Sequence, residues 1–286
     1  MTVLLATSGS WPEGEPGAAA LGSALAERGV ASRWAVWNDP DVDWDEAALV
    51  AVRSTWDYIG QVDDFVAWAR SLDQRRLLNG AECFAWNVDK AYLLRDMGDV
   101  PVVPTVLAGT LEELREGVRR WDTAVVKPRV GAGGAGLLVV TDPQDPRLGT
   151  SFVDHPGLPV ARGPWVVQPL VESIGTRGET SVFVLDGVAV SQVDKLPAAG
   201  EVRVHEHFGG ASRPVALDPA AAELAEAAVL QAGTVVGRPL DYGRIDMVEL
   251  DGRLVVSEVE ATEPGLYLDV LPANAAPFAE LVAARL

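Results

Sequence analysis

Short apolar runs at Val3–Ala6, Arg33–Trp37 and Ala48–Arg53 alternate with helix-periodic stretches at Ala18–Glu27 and Asp63–Leu72. Strands separated by helices predict an open, largely parallel α/β unit, with ligands beyond the carboxyl ends of its strands. Trp86–Lys90 is predicted to open the next helix, with Asp89 as its N-cap and Gly98 as its stop. Leu111–Trp121 follows as an amphipathic helix. From Ala124 the pattern turns to strands. Trp165–Glu172 is apolar but interrupted by Pro169, which predicts a linker or an edge. Gly178–Lys195 predicts two strands turning at Asp186-Gly187, and Glu201–Gly210 one strand with Arg203, His205 and His207 on one face. Ala220–Val235 and Pro277–Leu286 are predicted helices, and no internal repeat or low-complexity tail is visible.

The stretch Tyr242–Pro264, YGRIDMVELDGRLVVSEVEATEP, predicts a hairpin turning at Asp251-Gly252 and carrying Arg244, Asp246, Glu258 and Glu260. Alternation puts Arg244 with Asp246, and Glu258 with Glu260. A two-residue turn would set the pairs on opposite faces, whereas a three-residue loop with Gly252 left-handed unites them, and the longer loop is expected. Val255, Val256 and Val259 make the second strand interior. Buried carboxylates need compensation, and oxygen ligands on a rigid hairpin suit Mg²⁺ when substrate phosphates complete its shell. A solvated acidic edge explains the same residues equally well.

Charge narrows the partners. Among 286 residues, 23 Lys and Arg face 41 Asp and Glu, a formal net charge of −18. Nucleic acid and anionic membranes are therefore disfavoured, while a small anion needs only a local basic pocket. The lone cysteine, Cys83, excludes an intrachain disulfide and suits a reducing compartment, with core packing as its expected role. No apolar run reaches membrane-spanning length, and no charged region precedes the first apolar run as in a signal peptide, so a cytoplasmic protein is expected.

Ala124–Val140, AVVKPRVGAGGAGLLVV, satisfies G-x-G-x-x-G at Gly131, Gly133 and Gly136. A dinucleotide fingerprint needs a helix after the glycines, and here strand continues; a Walker loop needs its lysine after them, and Lys127 precedes them. What remains is a glycine flap between antiparallel strands, able to close over phosphates with Lys127 as a point charge, or else a flexible hairpin tip. Arg53-Ser54-Thr55-Trp56-Asp57-Tyr58 leaves the third strand at its ligand edge and could hold a small polar substrate. A structural turn is a comparable reading, because most of the nine tryptophans must simply pack. For Arg203, His205 and His207 a metal site is conceivable, but a phosphate-facing arginine with incidental histidines is simpler.

The order of these signals is more specific than any one of them. A helix-opening lysine, a strand lysine before a glycine flap, Gln168-Pro169-Leu170, Gly178-Glu179-x-Ser181, Glu201-Val202-Arg203, Arg244-x-Asp246 and Glu258-x-Glu260 together resemble the ATP-grasp superfamily. The similarity runs from about Asn87 to Asp269 and points to the ribosomal-S6-modifying and glutathione-synthetase-like branch. Within it, RSTWDY and SEVEATEPGLYL look most like the O-ureido-serine cyclo-ligase group of cycloserine biosynthesis.

The resemblance implies an α/β (α+β) ATP-grasp fold. Residues 1–88 would form a pre-ATP-grasp open parallel sheet, 89–167 a small subdomain with the glycine flap, and 168–286 a C-terminal antiparallel-sheet domain with the metal site. It implies that Lys90 and Lys127 bind ATP phosphates under Gly131, Gly133, Gly134 and Gly136. The Gln168-Pro169-Leu170 backbone would hold adenine and Glu179 the ribose. Asp246, Glu258 and Glu260 would hold two Mg²⁺ ions, and Arg203 with Lys127 would face the reacting groups. Arg53, Ser54, Trp56, Tyr58, Arg203, His205 and Arg244 would contact an amino acid-like substrate, in a homodimer or homotetramer. The usual E-x-N ending is here Glu258-Val259-Glu260, and His205 stands where many relatives carry asparagine. The implied reaction is attack of a carboxylate on the γ-phosphate, then displacement of phosphate by an amine-type nucleophile, either tethered or separate. A nicotinamide oxidoreductase, a small-molecule kinase and a non-catalytic ATP sensor are the competing classes.

Overall fold

The computed structural model describes residues 2–153 and 160–286. The first sheet has the parallel order β2-β1-β3, formed by β1 (Thr2–Thr7), β2 (Ala31–Val36) and β3 (Ala47–Ser54). β1 and β3 are largely apolar on both faces because both are covered, whereas β2 is a partly exposed edge. Val3, Leu5, Leu49 and Ala51 join α1 (Ala19–Glu27) and the C-terminal helix in one core. Leu4, Ala6, Val50 and Val52 meet α2 (Val62–Ser71) and α3 (Ala81–Asn87) in another.

The helix expected from Trp86 to Met97 is instead the end of α3, a turn over Val88–Ala91, and α4 (Tyr92–Arg95). Asp89 does accept the Ala91 N–H at 3.0 Å, but it also pairs with Arg129. The Lys90 N–H donates to the Arg129 carbonyl at 2.9 Å. The turn is thus tied to the flap, and this anchoring outweighs local helix propensity.

A second, antiparallel sheet has the order β4-β7-β5-β6, from β4 (Val106–Ala108), β5 (Ala124–Pro128), β6 (Leu138–Val140) and β7 (Trp165–Pro169). α5 (Leu111–Val118), opened by a Thr110/Glu113 capping box, covers it with Leu114 and Val118. β7 is an interior strand rather than the expected linker or edge. Its proline is tolerated because pairing with β4 stops at Val106–Val167, before Pro169. The glycines do join two antiparallel strands, with Ala124 opposite Val140.

The third sheet has the order β10-β9-β8-β11-β12: β8 (Glu179–Leu185), β9 (Val188–Leu196), β10 (Ala211–Val215), β11 (Tyr242–Leu250) and β12 (Arg253–Glu260). α6 (Pro219–Val236), capped by Asp218, lays Ala221, Ala225, Ala228 and Ala232 on it, and α7 (Ala275–Ala284) ends the chain. Residues 201–210 are not the expected strand but an irregular stretch ending in a 3₁₀ turn at Glu206–Phe208. There Glu201 Oε1 takes the Val202 and Arg203 N–H groups at 2.8 and 3.1 Å, replacing a ladder partner. Among the described residues no helix is long and apolar enough to cross a membrane.

The hairpin turn has two residues, Asp251 (φ 50°) and Gly252 (φ 74°), with Leu250 opposite Arg253. The expected three-residue loop is therefore absent. Even so, Arg244 faces Glu260 and Asp246 faces Glu258, because a bulge at Ser257 separates the Asp246–Glu258 pair from Met247–Val256. The extra residue in the strand, not in the turn, brings the four charged side chains to one face.

β12 is the last strand of its sheet, yet its outer edge is not bare. Val256 exchanges backbone hydrogen bonds with Pro101 and Val103 at 2.8 and 2.9 Å. Asn87 Nδ2 donates to the Val259 carbonyl at 2.7 Å, and Asn87 Oδ1 accepts the Ala261 and Thr262 N–H groups. The Tyr92 hydroxyl donates to Val259 O and accepts from Val259 N.

Candidate active site

The bulged hairpin, the flap and the 201–205 stretch enclose one cavity. Its floor is a lattice of opposite charges. Arg244 Nε and Nη2 each lie 2.9 Å from an oxygen of Asp246, and Nη2 also pairs with Glu260. Lys195, on β9, bridges Glu179 at 2.9 Å and Asp246 at 3.3 Å. Burial works against the charge on Asp246, but Arg244 and Lys195 outweigh it and hold its carboxyl well below the ordinary range. Glu260 is less well compensated: burial, with Asp246 and Glu258 nearby, pushes it up to about 8 despite Arg244. Burial is likewise outweighed at Glu258, by Lys90 and Lys127, and its carboxyl is lowered.

Two lysines adjoin this floor. Lys90 Nζ sits 2.8 Å from Glu258 and donates to the Gly131 carbonyl, so it ties flap to hairpin. Lys127 has no hydrogen-bond or ion-pair partner among the described residues, and burial lowers its pKa. A buried cation that makes no direct ion pair, beside another lysine, is a receptor for anionic oxygens even with Glu258 in its field. Gly133, Gly134 and Gly136 all have left-handed backbones, with φ of 61°, 74° and 74°. A Cβ at Gly134 would lie 3.3 Å from the Arg203 side chain, and one at Gly136 only 2.2 Å from Ala161 Cβ. Arg203 is held by Glu201 at 2.6 Å over the Phe208 ring. Burial lowers His205 to about 4, so its ring is neutral at pH 7.

The carboxylates are hard oxygen donors facing one cavity, which suits Mg²⁺ in kind. As they stand they are turned onto Arg244, Lys195 and Lys90. Among the described residues no three of His, Cys, Asp and Glu are disposed to hold a metal ion.

Residues 96–264 match the family model for the ATP-grasp domain of prokaryotic glutathione synthetase, and residues 3–79 that for the N-terminal domain of the D-cycloserine synthetase DcsG. The cycloserine biosynthesis protein DcsG of Streptomyces lavendulae is 30% identical over 273 residues, 90% of each chain. The chain belongs to the ATP-grasp ligases. ATP-grasp ligases of this kind are ADP-forming C–N ligases. The crystal structure of D-cycloserine synthetase DcsG superposes with a TM-score of 0.82 at 26% identity, over 100% of this chain and 99% of that one. The ATP-grasp ligase PsnB, solved with a minimal precursor, Mg and ADP, shares the fold at 16% identity and a TM-score of 0.63, over 99% of this chain and 97% of that one.

In this ATP-grasp ligase the cavity gathers Lys90, Lys127, Gly131, Gly133 and Gly134. Glu179, Arg203, His205, Arg244, Asp246, Glu258 and Glu260 complete the lining. Gly136 shapes the flap from outside the lining. Gln168, Pro169 and Leu170 also lie outside it: Gln168 donates to Thr105 at 2.9 Å, and the Leu170 N–H is taken by Thr123 O.

The expected substrate contacts of the N-terminal sheet are corrected. Arg53 is fully buried, paired with Glu15 at 3.3 Å, bonded to the Pro264 carbonyl and stacked 4.6 Å from the Phe278 ring. Ser54 is bonded to Thr7 at 2.7 Å, Trp56 donates to the Glu263 carbonyl at 3.2 Å, and Tyr58 is buried against Phe65. Arg53 and Trp56 hold the loop after the hairpin, and none of the four lines the cavity, the arginine being drawn to the buried Glu15 carboxylate.

Among the charged and aromatic cavity residues, sequence reasoning assigns no role to Lys195 or Tyr267. Lys195 ends the run GETSVFVLDGVAVSQVDK, and a lysine closing a strand opposite a G-E-x-S motif was the available signal.

Proposed function

We propose that this ATP-grasp ligase closes a ring on one small amino acid derivative, activating its carboxylate as an acyl phosphate. The observation that carries the ligase half is Lys127, which has no direct partner among the described residues and lines one cavity with Lys90, the flap glycines, Asp246 and Glu258. The ring-closing half is supported by the similarity to D-cycloserine synthetase, which includes the N-terminal unit and not only the nucleotide-binding region. O-ureido-serine is the substrate this reading favours, in a pathway of antibiotic biosynthesis.

In this reading Lys90 and Lys127 align the ATP phosphates, and the flap backbone covers them. Glu179 would take the ribose, and the strand end Gln168–Leu170 would meet adenine through groups other than the Leu170 N–H. Asp246, Glu258 and Glu260 would hold Mg²⁺, which neutralises phosphate charge when bound. Arg203 would face the phosphoryl group in transfer, and neutral His205 and Arg244 the substrate. The carboxylate attacks the γ-phosphate, ADP leaves, and the tethered nitrogen displaces phosphate at high effective concentration.

The test offers O-ureido-serine, and other ω-amino or ureido acids, singly with ATP and Mg²⁺, measuring ADP and product mass. A cyclic product with one substrate present is expected. ADP release that requires a second amine, with a condensation mass, would establish an intermolecular ligase instead.

A further inference from the structure

The loop after the hairpin is held more firmly than its length requires. Arg53 binds the Pro264 carbonyl, Trp56 the Glu263 carbonyl, and Glu15 accepts the Leu266 N–H at 2.6 Å. Asn274 donates to Leu266 O at 2.8 Å, and Leu266 and Leu268 are both buried. Between those leucines Tyr267 adopts a left-handed backbone, φ 55°, a conformation disfavoured for bulky side chains and left mostly to glycine, asparagine and aspartate. Its carbonyl accepts the Val270 and Leu271 N–H groups at 3.2 and 2.7 Å, which locks the turn.

The strained turn presents a ring to the cavity. The Tyr267 ring meets Phe183 edge-on at 6.1 Å, and the Arg244 guanidinium and Lys195 ammonium lie 5.4 and 5.3 Å from its centroid. Those are the two cations that hold Asp246. The ring therefore covers the charged floor on the side of the N-terminal sheet, where Gly265 approaches Trp56 and Arg244. A bulky side chain kept in an unfavourable backbone state at a site is a sign of function there.

We propose that Tyr267 is the water-excluding wall of the acyl end of this site and decides the fate of the acyl phosphate. Glu15, Arg53 and Trp56 act through it, as positioning residues for its loop. The inference rests on the ligase reading above. An acyl phosphate has two exits. Attack by an amine-type N–H forms the C–N bond, breaks the C–O bond to phosphate and passes the proton to the departing phosphate. Attack by water forms a C–O bond instead, returns the carboxylate and phosphate, and spends one ATP without product. An aromatic face over Arg244 and Lys195 removes the ordered water those cations would otherwise hold at the carbonyl.

The experiment compares product formed per ADP released for wild type, Tyr267→Phe and Tyr267→Asn, with hydroxylamine added separately to trap acyl phosphate as hydroxamate. Asparagine tolerates the left-handed backbone but lacks a ring, and a thermal melt of each variant reports folding. Wild type and Tyr267→Phe should give nearly one product per ADP. Tyr267→Asn should keep ADP release within a few-fold while product per ADP falls about tenfold, with hydroxamate still formed when the trap is present. Unchanged product per ADP in a folded Tyr267→Asn, or loss of ADP and product in equal proportion, overturns the proposal. If Tyr267→Asn does not fold, Tyr267→Gly provides the same ring-free comparison. If wild type releases no ADP with any carboxylate offered, the ligase reading fails first, and this wall fails with it.

Discussion

Replacing Arg53 by methionine separates a structural arginine from a substrate-binding one. The side chain is fully buried, and its partner carboxylate, Glu15, is 3% exposed. Removing one member of such a pair strands the other charge, which costs about 3–5 kcal/mol. For a chain of this size each kcal/mol moves the melting temperature by about 2–4 °C, so Arg53→Met should melt about 6–20 °C lower. The loss should depend on pH. Burial already raises the Glu15 carboxyl, against the pull of Arg53, and without Arg53 it rises further. A raised carboxyl leaves stability intact below its unfolded value near 4.5 and removes it as pH climbs through the folded value. Arg53→Met should therefore lie closest to wild type near pH 5 and fall away towards pH 8. Adding Glu15→Gln should restore much of the loss, since the double variant buries no unpaired charge. Melting curves of the four proteins at the two pH values provide the measurement. A melting temperature within about 2 °C of wild type, together with a selective rise in substrate KM, would refute the reasoning and return Arg53 to the substrate.

Lys127→Met should melt close to wild type, because Lys127 makes no direct ion pair among the described residues and Glu258 keeps Lys90, while phosphoryl transfer slows about a hundredfold; unchanged rate at saturating ATP would remove Lys127 from the site. Glu258→Gln should leave the fold intact and abolish turnover at ordinary Mg²⁺, as followed by ADP release and circular dichroism. Gly136→Ala places a Cβ 2.2 Å from Ala161 at φ 74° and should destabilise the protein by about 1–3 kcal/mol, read by urea titration. Burial raises Glu263 to about 7, so its contribution is complete below about 4.5 and lost as pH rises through about 7. Glu263→Gln should flatten that part of the melting profile between pH 5 and 8.

What the sequence showed well was whatever depends on local pattern. The strands of the first sheet, the turns at Asp186-Gly187 and Asp251-Gly252, and the glycine flap all follow from neighbours in sequence. The errors fall where a distant partner decides. Asp89 caps nothing longer than a turn because Arg129, forty residues on, claims it. Glu201–Gly210 carries strand-like alternation, yet Glu201 spends its carboxylate on the next two amides. The four hairpin charges share a face through a bulge at Ser257, whose hydroxyl lies 3.4 Å from Glu179 on another strand. No spacing within the hairpin announces that extra residue. Arg53 was assigned by its place at a strand end, whereas Glu15, in the Gly/Pro-rich loop, was not recognised as its counter-ion.

The outer edge of β12 bears on how far this protein can be taken apart. Its backbone groups are satisfied by Asn87, Tyr92 and residues 101–103, all of which precede the glycine flap in sequence. An isolated fragment beginning after that region would carry Glu258 and Glu260 on a strand with an open ladder, free to pair with a second copy. Recombining the C-terminal half with a foreign N-terminal unit to change substrate should thus yield aggregated protein, unless the asparagine, the tyrosine and the 101–103 segment travel with it. The boundary for swapping modules lies before Asn87, earlier than the one the reaction chemistry would suggest.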